Sequence, residues 1–115
     1  MEELAMEEEL VINTFEKVNI YLDFIEIFVD TMKATKERKN IKNLGTRLLK
    51  TGLSLVIVAP DTIVKKYIIW RTFAMGGDTE KIMNAFADII IEMRKDLIGK
   101  TECNIDDALD IFLQD

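Results

Sequence analysis

The chain has no histidine, one cysteine and one proline among 115 residues. Without histidine, the usual zinc sites and the serine–histidine or cysteine–histidine pairs that activate a nucleophile are absent. The single cysteine, Cys103, cannot form an internal disulfide, so no disulfide framework holds the fold. Its nearest base is Lys100, and it reads as an ordinary thiol of a reducing compartment. Pro60 is the only proline and no glycine precedes Gly45, so nothing breaks a helix in the first third of the chain. Long apolar runs are also missing. The most apolar, Leu53 to Ala59, has seven residues, against roughly 20 for a membrane-spanning helix. The start, Met1-Glu2-Glu3-Leu4-Ala5-Met6-Glu7-Glu8-Glu9, is acidic, whereas a secretory signal opens with bases and continues apolar. A cytoplasmic protein with no transmembrane segment is expected.

What is present points to a folded helical protein. Hydrophobic residues make up 49% of the chain, too many for a disordered one. The length suits one core, and residues 1–115 read as a single helical domain, with a long helix over 1–39 and smaller helices over 40–115. The net charge of −6 is a residue of opposed blocks. Residues 1–32 hold nine acids and one base (Lys17), whereas residues 33–50 hold seven bases (Lys33, Lys36, Arg38, Lys39, Lys42, Arg47, Lys50) and one acid (Glu37). The basic belt can serve an anionic surface or nucleic acid. However, no aromatic is interleaved with it and the chain is acidic overall, which disfavours nucleic acid. Pairing with the acidic N-terminal stretch of a neighbouring chain, or a solvated loop, is the simpler reading.

The strongest pattern is near the N-terminus. From Val11 the apolar positions Phe15, Val18, Leu22, Ile25, Val29 and Met32 follow at alternating spacings of four and three. That is a heptad seam, the signature of a helix that packs against another along its length. Leu4 extends one of its two series, and Glu8 interrupts the other. Ile12, Tyr21, Phe24 and Phe28 widen the stripe beyond what a two-stranded seam needs. One helix that packs on its own chain and on a second copy accounts for both. Self-association through Val11, Phe15, Val18, Leu22, Ile25, Val29 and Met32, with a dimer favoured, is the leading expectation; an unidentified protein partner is the other use of such a module.

The polar stretch Lys36 to Asn40 predicts a turn, and a second helix is expected over about 41–59, with Gly45 and Gly52 inside it. The β-branched end, Leu53 to Ala59, has no strand partner elsewhere and is read as helix. Pro60-Asp61-Thr62 opens a third helix, about 61–75, which Gly76-Gly77 closes. Asp78 is a natural N-cap for a fourth helix, 79–98, with a seam of Ile82, Phe86, Ile89, Met93 and Leu97. Gly99 stops it. Asn104-Ile105-Asp106-Asp107 reads as an acidic capping box for a last helix to about Leu113. The fold class is therefore all-α: about five helices, a long first one with a heptad-like seam, in a helical bundle. Of the methionines, Met32, Met83 and Met93 fall on or near apolar stripes and read as core filler.

With no histidine, acid–base chemistry would rest on carboxylates, lysine or tyrosine. Asp88, Glu92 and Asp96 recur every four residues and share one face of the fourth helix. Such a row suits a divalent cation only when a second helix adds ligands, and none offers them, so a solvated face is expected. Arg71 lies among apolar neighbours and needs a carboxylate, Asp88 or Asp96. Arg71, Asp88, Arg94 and Asp96 thus form either an internal ion pair or a small anion site. Gly76-Gly77-Asp78 precedes a helix start but lacks the lysine and hydroxyl residue of a phosphate-binding loop. No catalytic residues, metal or cofactor are expected, and the chain reads as a non-enzyme.

One resemblance can be added. The order Pro60-Asp61-x-x-Val64, Tyr67, Trp70-Arg71, Gly77-Asp78, Asp88, Met93-Arg94-Lys95-Asp96-Leu97, Asp106-Asp107 and Leu109-x-x-Phe112 resembles an uncharacterised family of small prokaryotic helical proteins and domains. In that family an "SDEV" helix start is followed by an aromatic helix, a "GD" cap, an "MRKDLG"-like helix end and a short terminal helix. The resemblance covers about residues 48–115 and implies an all-helical fold but no activity. Here Pro60 stands where a serine cap is usual, and Ile98 separates Leu97 from Gly99. Domains of that family often follow a long helix, sometimes tethered to a membrane; with no span in this chain, the tether is not carried over.

Overall fold

The computed structural model describes the backbone of residues 2–112 and the side chains of residues 14–112. The five helices are α1 (Glu2–Glu37), α2 (Leu44–Val58), α3 (Asp61–Gly76), α4 (Thr79–Ile98) and α5 (Ile105–Phe112). No strand occurs among the described residues, so the expected all-α class is the observed one. The chain divides into two compact units, Met1–Ala59 and Pro60–Asp115.

In the first unit α1 runs 36 residues, about 54 Å at 1.5 Å per residue. It ends as a glycine-terminated helix would, but without the glycine. Arg38 takes the left-handed conformation, φ 55°. Its N–H donates to the Thr35 carbonyl at 3.3 Å, and the Lys39 N–H donates to the Ala34 carbonyl at 2.8 Å, the two bonds of a Schellman end. Asn43 is also left-handed, φ 61°, directly before α2. Asparagine tolerates that conformation, and it explains why α2 starts at Leu44 rather than near Ile41 as expected. α1 and α2 pack as a hairpin, pinned near its turn by the Arg47 guanidinium donating to Asp30 at 3.1 Å. Tyr21, Phe24, Ile27 and Phe28 of α1 are buried, as are Leu48, Thr51 and Leu55 of α2.

The second unit is a three-helix arrangement. Gly77 is left-handed, φ 78°, and its N–H donates to the Phe73 carbonyl. Asp78 then caps α4, its side chain accepting from the Lys81 N–H at 3.2 Å. This two-residue connection folds α3 back along α4. Ile63, Tyr67 and Trp70 are the buried residues of α3, and Phe86, Ile89 and Met93 are those on the expected seam of α4. Leu97, at the end of that seam, is 37% exposed.

α4 has a second buried edge. Ala87 and Ile91 meet Ala108 of α5, with Ile105, Leu109 and Phe112 packed around them, and the Phe86 and Phe112 rings lie 5.3 Å apart. The paired alanines allow close approach of the two helices. The start of α5 is the expected capping box: the Asp107 N–H donates to Asn104 Oδ1 at 3.0 Å and the Asn104 N–H to Asp107 Oδ2 at 2.9 Å. Of the methionines expected as core filler, Met93 is buried and Met83 half-buried, whereas Met32 is exposed. Leu113, the expected end of α5, lies outside the described residues.

Candidate functional site

The apolar residues of α1 separate into two sets by position around the helix. Tyr21, Phe24, Ile27 and Phe28 recur at three and four residues and are each at most 4% exposed. The heptad seam lies on a different face. Phe15 is 69% exposed, Leu22 53%, Val29 51% and Met32 43%. Val18 and Ile25 are half-buried between them. Val11, the seam residue before Phe15, lies outside the described side chains. Phe15, Leu22, Val29 and Met32 thus form an exposed apolar strip along α1. Exposed single apolar residues are ordinary, but a contiguous strip on one helix face marks an interaction surface.

Charge is graded along the same helix. The first 16 residues contain six acids and no base, whereas residues 33–39 contain four bases and one acid. Lys33, Lys36, Arg38, Lys39, Lys42 and Lys50 are all exposed. Of the belt, Arg47 is tied to Asp30 and Lys39 lies 3.6 Å from Glu37. A second apolar patch lies on α2, where Leu49, Leu53, Val56 and Ile57 are 57–82% exposed on the face opposite its buried residues. From Arg38 to Pro60 the chain has no acid.

The residues considered for an ion pair or anion site are distributed differently from the sequence expectation. Asp88 accepts from Lys66 at 2.6 Å, and the same ammonium lies 3.9 Å from Glu92. Lys95 reaches Glu92 at 3.4 Å. A lysine of α3 thus occupies the place between Asp88 and Glu92 that a cation would take. Arg71, expected to pair with Asp88 or Asp96, is half-buried beside Tyr67 instead. Burial pushes the Tyr67 hydroxyl above its ordinary range, and the Arg71 guanidinium pulls it partly back. Arg94 is exposed, and its Nε donates to the Thr101 hydroxyl at 2.7 Å, bracing the turn after α4. Asp96 is half-buried on α4.

Helix geometry explains why these four do not converge. Lys66 and Asp88 are equidistant from Gly77, so they lie level in the α3–α4 hairpin. Arg71 is then displaced toward the turn and Arg94 away from it, about 16 Å apart along the axis. Lys66 is the residue that sequence reasoning missed. Its equal separation from the Gly77 turn was the available signal.

No protein-family model, curated protein or solved structure matches the chain, so its functional reading rests on its own residues. Among the described residues, no helix is long and apolar enough to cross a membrane.

Proposed function

We propose that the protein is a non-catalytic helical module that self-associates as a dimer through the α1 seam and serves in binding or scaffolding. One observation carries the reading: Phe15, Leu22, Val29 and Met32 are exposed on one continuous face of α1 while a separate apolar set on the same helix is buried. A helix that needed only its own core would not hold two apolar faces. The six described seam positions span half of α1, which makes the strip a larger candidate than the four-residue patch on α2. The lack of histidine and the neutralisation of Asp88 by Lys66 support the non-catalytic part.

Sedimentation across protein concentrations tests it, with a dimer expected. Leu22 is 53% exposed, so covering it stabilises by about 1 kcal/mol per copy. Glu in that seam adds the cost of desolvating a charge. The Leu22→Glu, Val29→Glu pair should therefore weaken the dimer by about 4 kcal/mol, roughly a thousandfold. Both positions are exposed, so monomer stability should change by only about 0.5 kcal/mol each. A monomer at high concentration in the unmodified protein rejects the proposal.

A further inference from the structure

We infer that the second copy lies antiparallel on α1, with Phe15 of one chain opposite Met32 of the other, Val18 opposite Val29, and Leu22 opposite Ile25. This rests on the self-association proposed above and specifies its geometry. Charge selects the orientation, and the layering of the seam sets the register within it.

In a parallel pair, the acid-rich start of α1, six acids and no base in residues 1–16, would face its own copy, and the basic end would do the same. Both ends would repel, because like charges brought together along a seam oppose association. Antiparallel, positions 8 and 9 of one chain fall level with Lys39 and Arg38 of the other, and the two blocks attract. The basic belt then has a use that requires no nucleic acid.

The described seam residues run from Phe15 to Met32, centred between positions 23 and 24. Reversing one copy about that centre matches every described seam residue with another and leaves none opposite a charge. The strip exposed by each chain, four residues at 43–69% exposure, is covered by the same strip of its copy. Such an isologous contact closes on itself and stops at two chains.

Salt dependence and cross-linking of the full-length chain, with Cys103→Ser removing its only thiol, test the orientation. For an antiparallel pair, raising sodium chloride from about 0.05 to 0.5 M screens attraction, and the dimer Kd should rise several-fold. For a parallel pair the same salt screens repulsion, and the dimer should tighten.

Phe15→Cys and Met32→Cys are then made separately, treated with a short bis-maleimide alone, and treated again after mixing and subunit exchange. Covalent dimer is expected only in the mixture, because in the antiparallel pair the two copies of position 15 lie about 25 Å apart. The Val18→Cys and Val29→Cys pair, whose like positions lie about 16 Å apart in the same arrangement, gives a second, independent mixture. A covalent dimer of Phe15→Cys alone, or a dimer that tightens in salt, overturns the antiparallel arrangement while leaving self-association intact. A dimer by sedimentation that no seam pair cross-links also overturns it and moves the interface off α1. A monomer in sedimentation rejects the parent proposal instead.

Discussion

Removing Lys66 should cost more than removing the carboxylate it binds. Its ammonium lies 2.6 Å from Asp88 and 3.9 Å from Glu92, and the three side chains are 27%, 32% and 20% exposed. An exposed pair contributes about 0–1 kcal/mol, whereas breaking a fully buried pair costs about 3–5 kcal/mol. These groups stand between the limits. Lys66→Met leaves Asp88 and Glu92 one turn apart on α4 with no cation from α3, adding like-charge repulsion of a few tenths of a kcal/mol. About 2 kcal/mol is expected. Asp88→Asn keeps an oxygen that accepts from Lys66 and leaves Glu92 as the counter-charge, so about 0.5–1 kcal/mol is expected. Glu92 keeps Lys95 at 3.4 Å, so adding Asp88→Asn to Lys66→Met removes the charge left without a cation, and the double variant should be more stable than Lys66→Met alone. Urea unfolding followed by circular dichroism, at one fixed protein concentration because the proposed association would add to apparent stability, measures all three. If Asp88→Asn costs as much as Lys66→Met, or if the two losses simply add, Lys66 is not the shared counter-ion of this cluster.

Two further perturbations test local physics in each unit. Arg38→Gly relieves a left-handed residue, φ 55°, that costs an L side chain roughly 1–2 kcal/mol. Glycine's greater freedom in the unfolded chain returns part of that, so the urea midpoint should rise by an equivalent of about 0.5–1 kcal/mol; a fall would mean that the arginine side chain supports the turn. Tyr67→Phe should flatten the alkaline limb of the stability profile. In the folded chain burial holds the Tyr67 proton more tightly than in the unfolded chain, so its contribution is complete below about pH 10 and is lost as pH rises through the folded value. Unfolding free energies between about pH 9 and 11.5 read the slope, and an unchanged slope in the phenylalanine variant removes Tyr67 as its source.

Where backbone chemistry decides local structure, the helices were legible in the sequence. Asp78 as N-cap, Gly77 as left-handed stop and the Asn104–Asp107 box each need a particular residue type at a particular step, and the structure forms all three. The apolar spacing, which Ile41 continues, places the start of α2 three residues before Leu44, where the helix begins. The left-handed Asn43, which sets the boundary, carries no comparable mark. α4 read as one seam, yet Ala87 and Ile91 form a second buried edge against α5. Alanine is too small to register in an apolar pattern, and that smallness is what lets Ala108 approach. The ion pair was harder to read. Arg71 looked like the buried cation because its sequence neighbours are apolar, but pairing across a hairpin depends on distance from the turn, and Lys66 meets that condition.

The candidate interface shows what periodicity carries and what it leaves open. A 3.6-residue helix read against spacings of three and four identifies which side chains share a face. It does not say which neighbour covers that face. On α1 the two apolar sets overlap in sequence, and Phe28 and Val29 are adjacent, so counting alone merges them into one broad stripe. Exposure separates them: Phe28 is 4% exposed and Val29 51%. The regular heptad carries the exposed residues Phe15, Leu22, Val29 and Met32, and the less regular set, Tyr21, Phe24, Ile27 and Phe28, is buried. A physical reason favours this division. An intrachain core is assembled from short helices at varied angles and tolerates uneven spacing, whereas a long seam between two matching helices must repeat to stay in register. On that argument, the regularity of the spacing, more than its hydrophobicity, singles out the surface proposed to take a second copy.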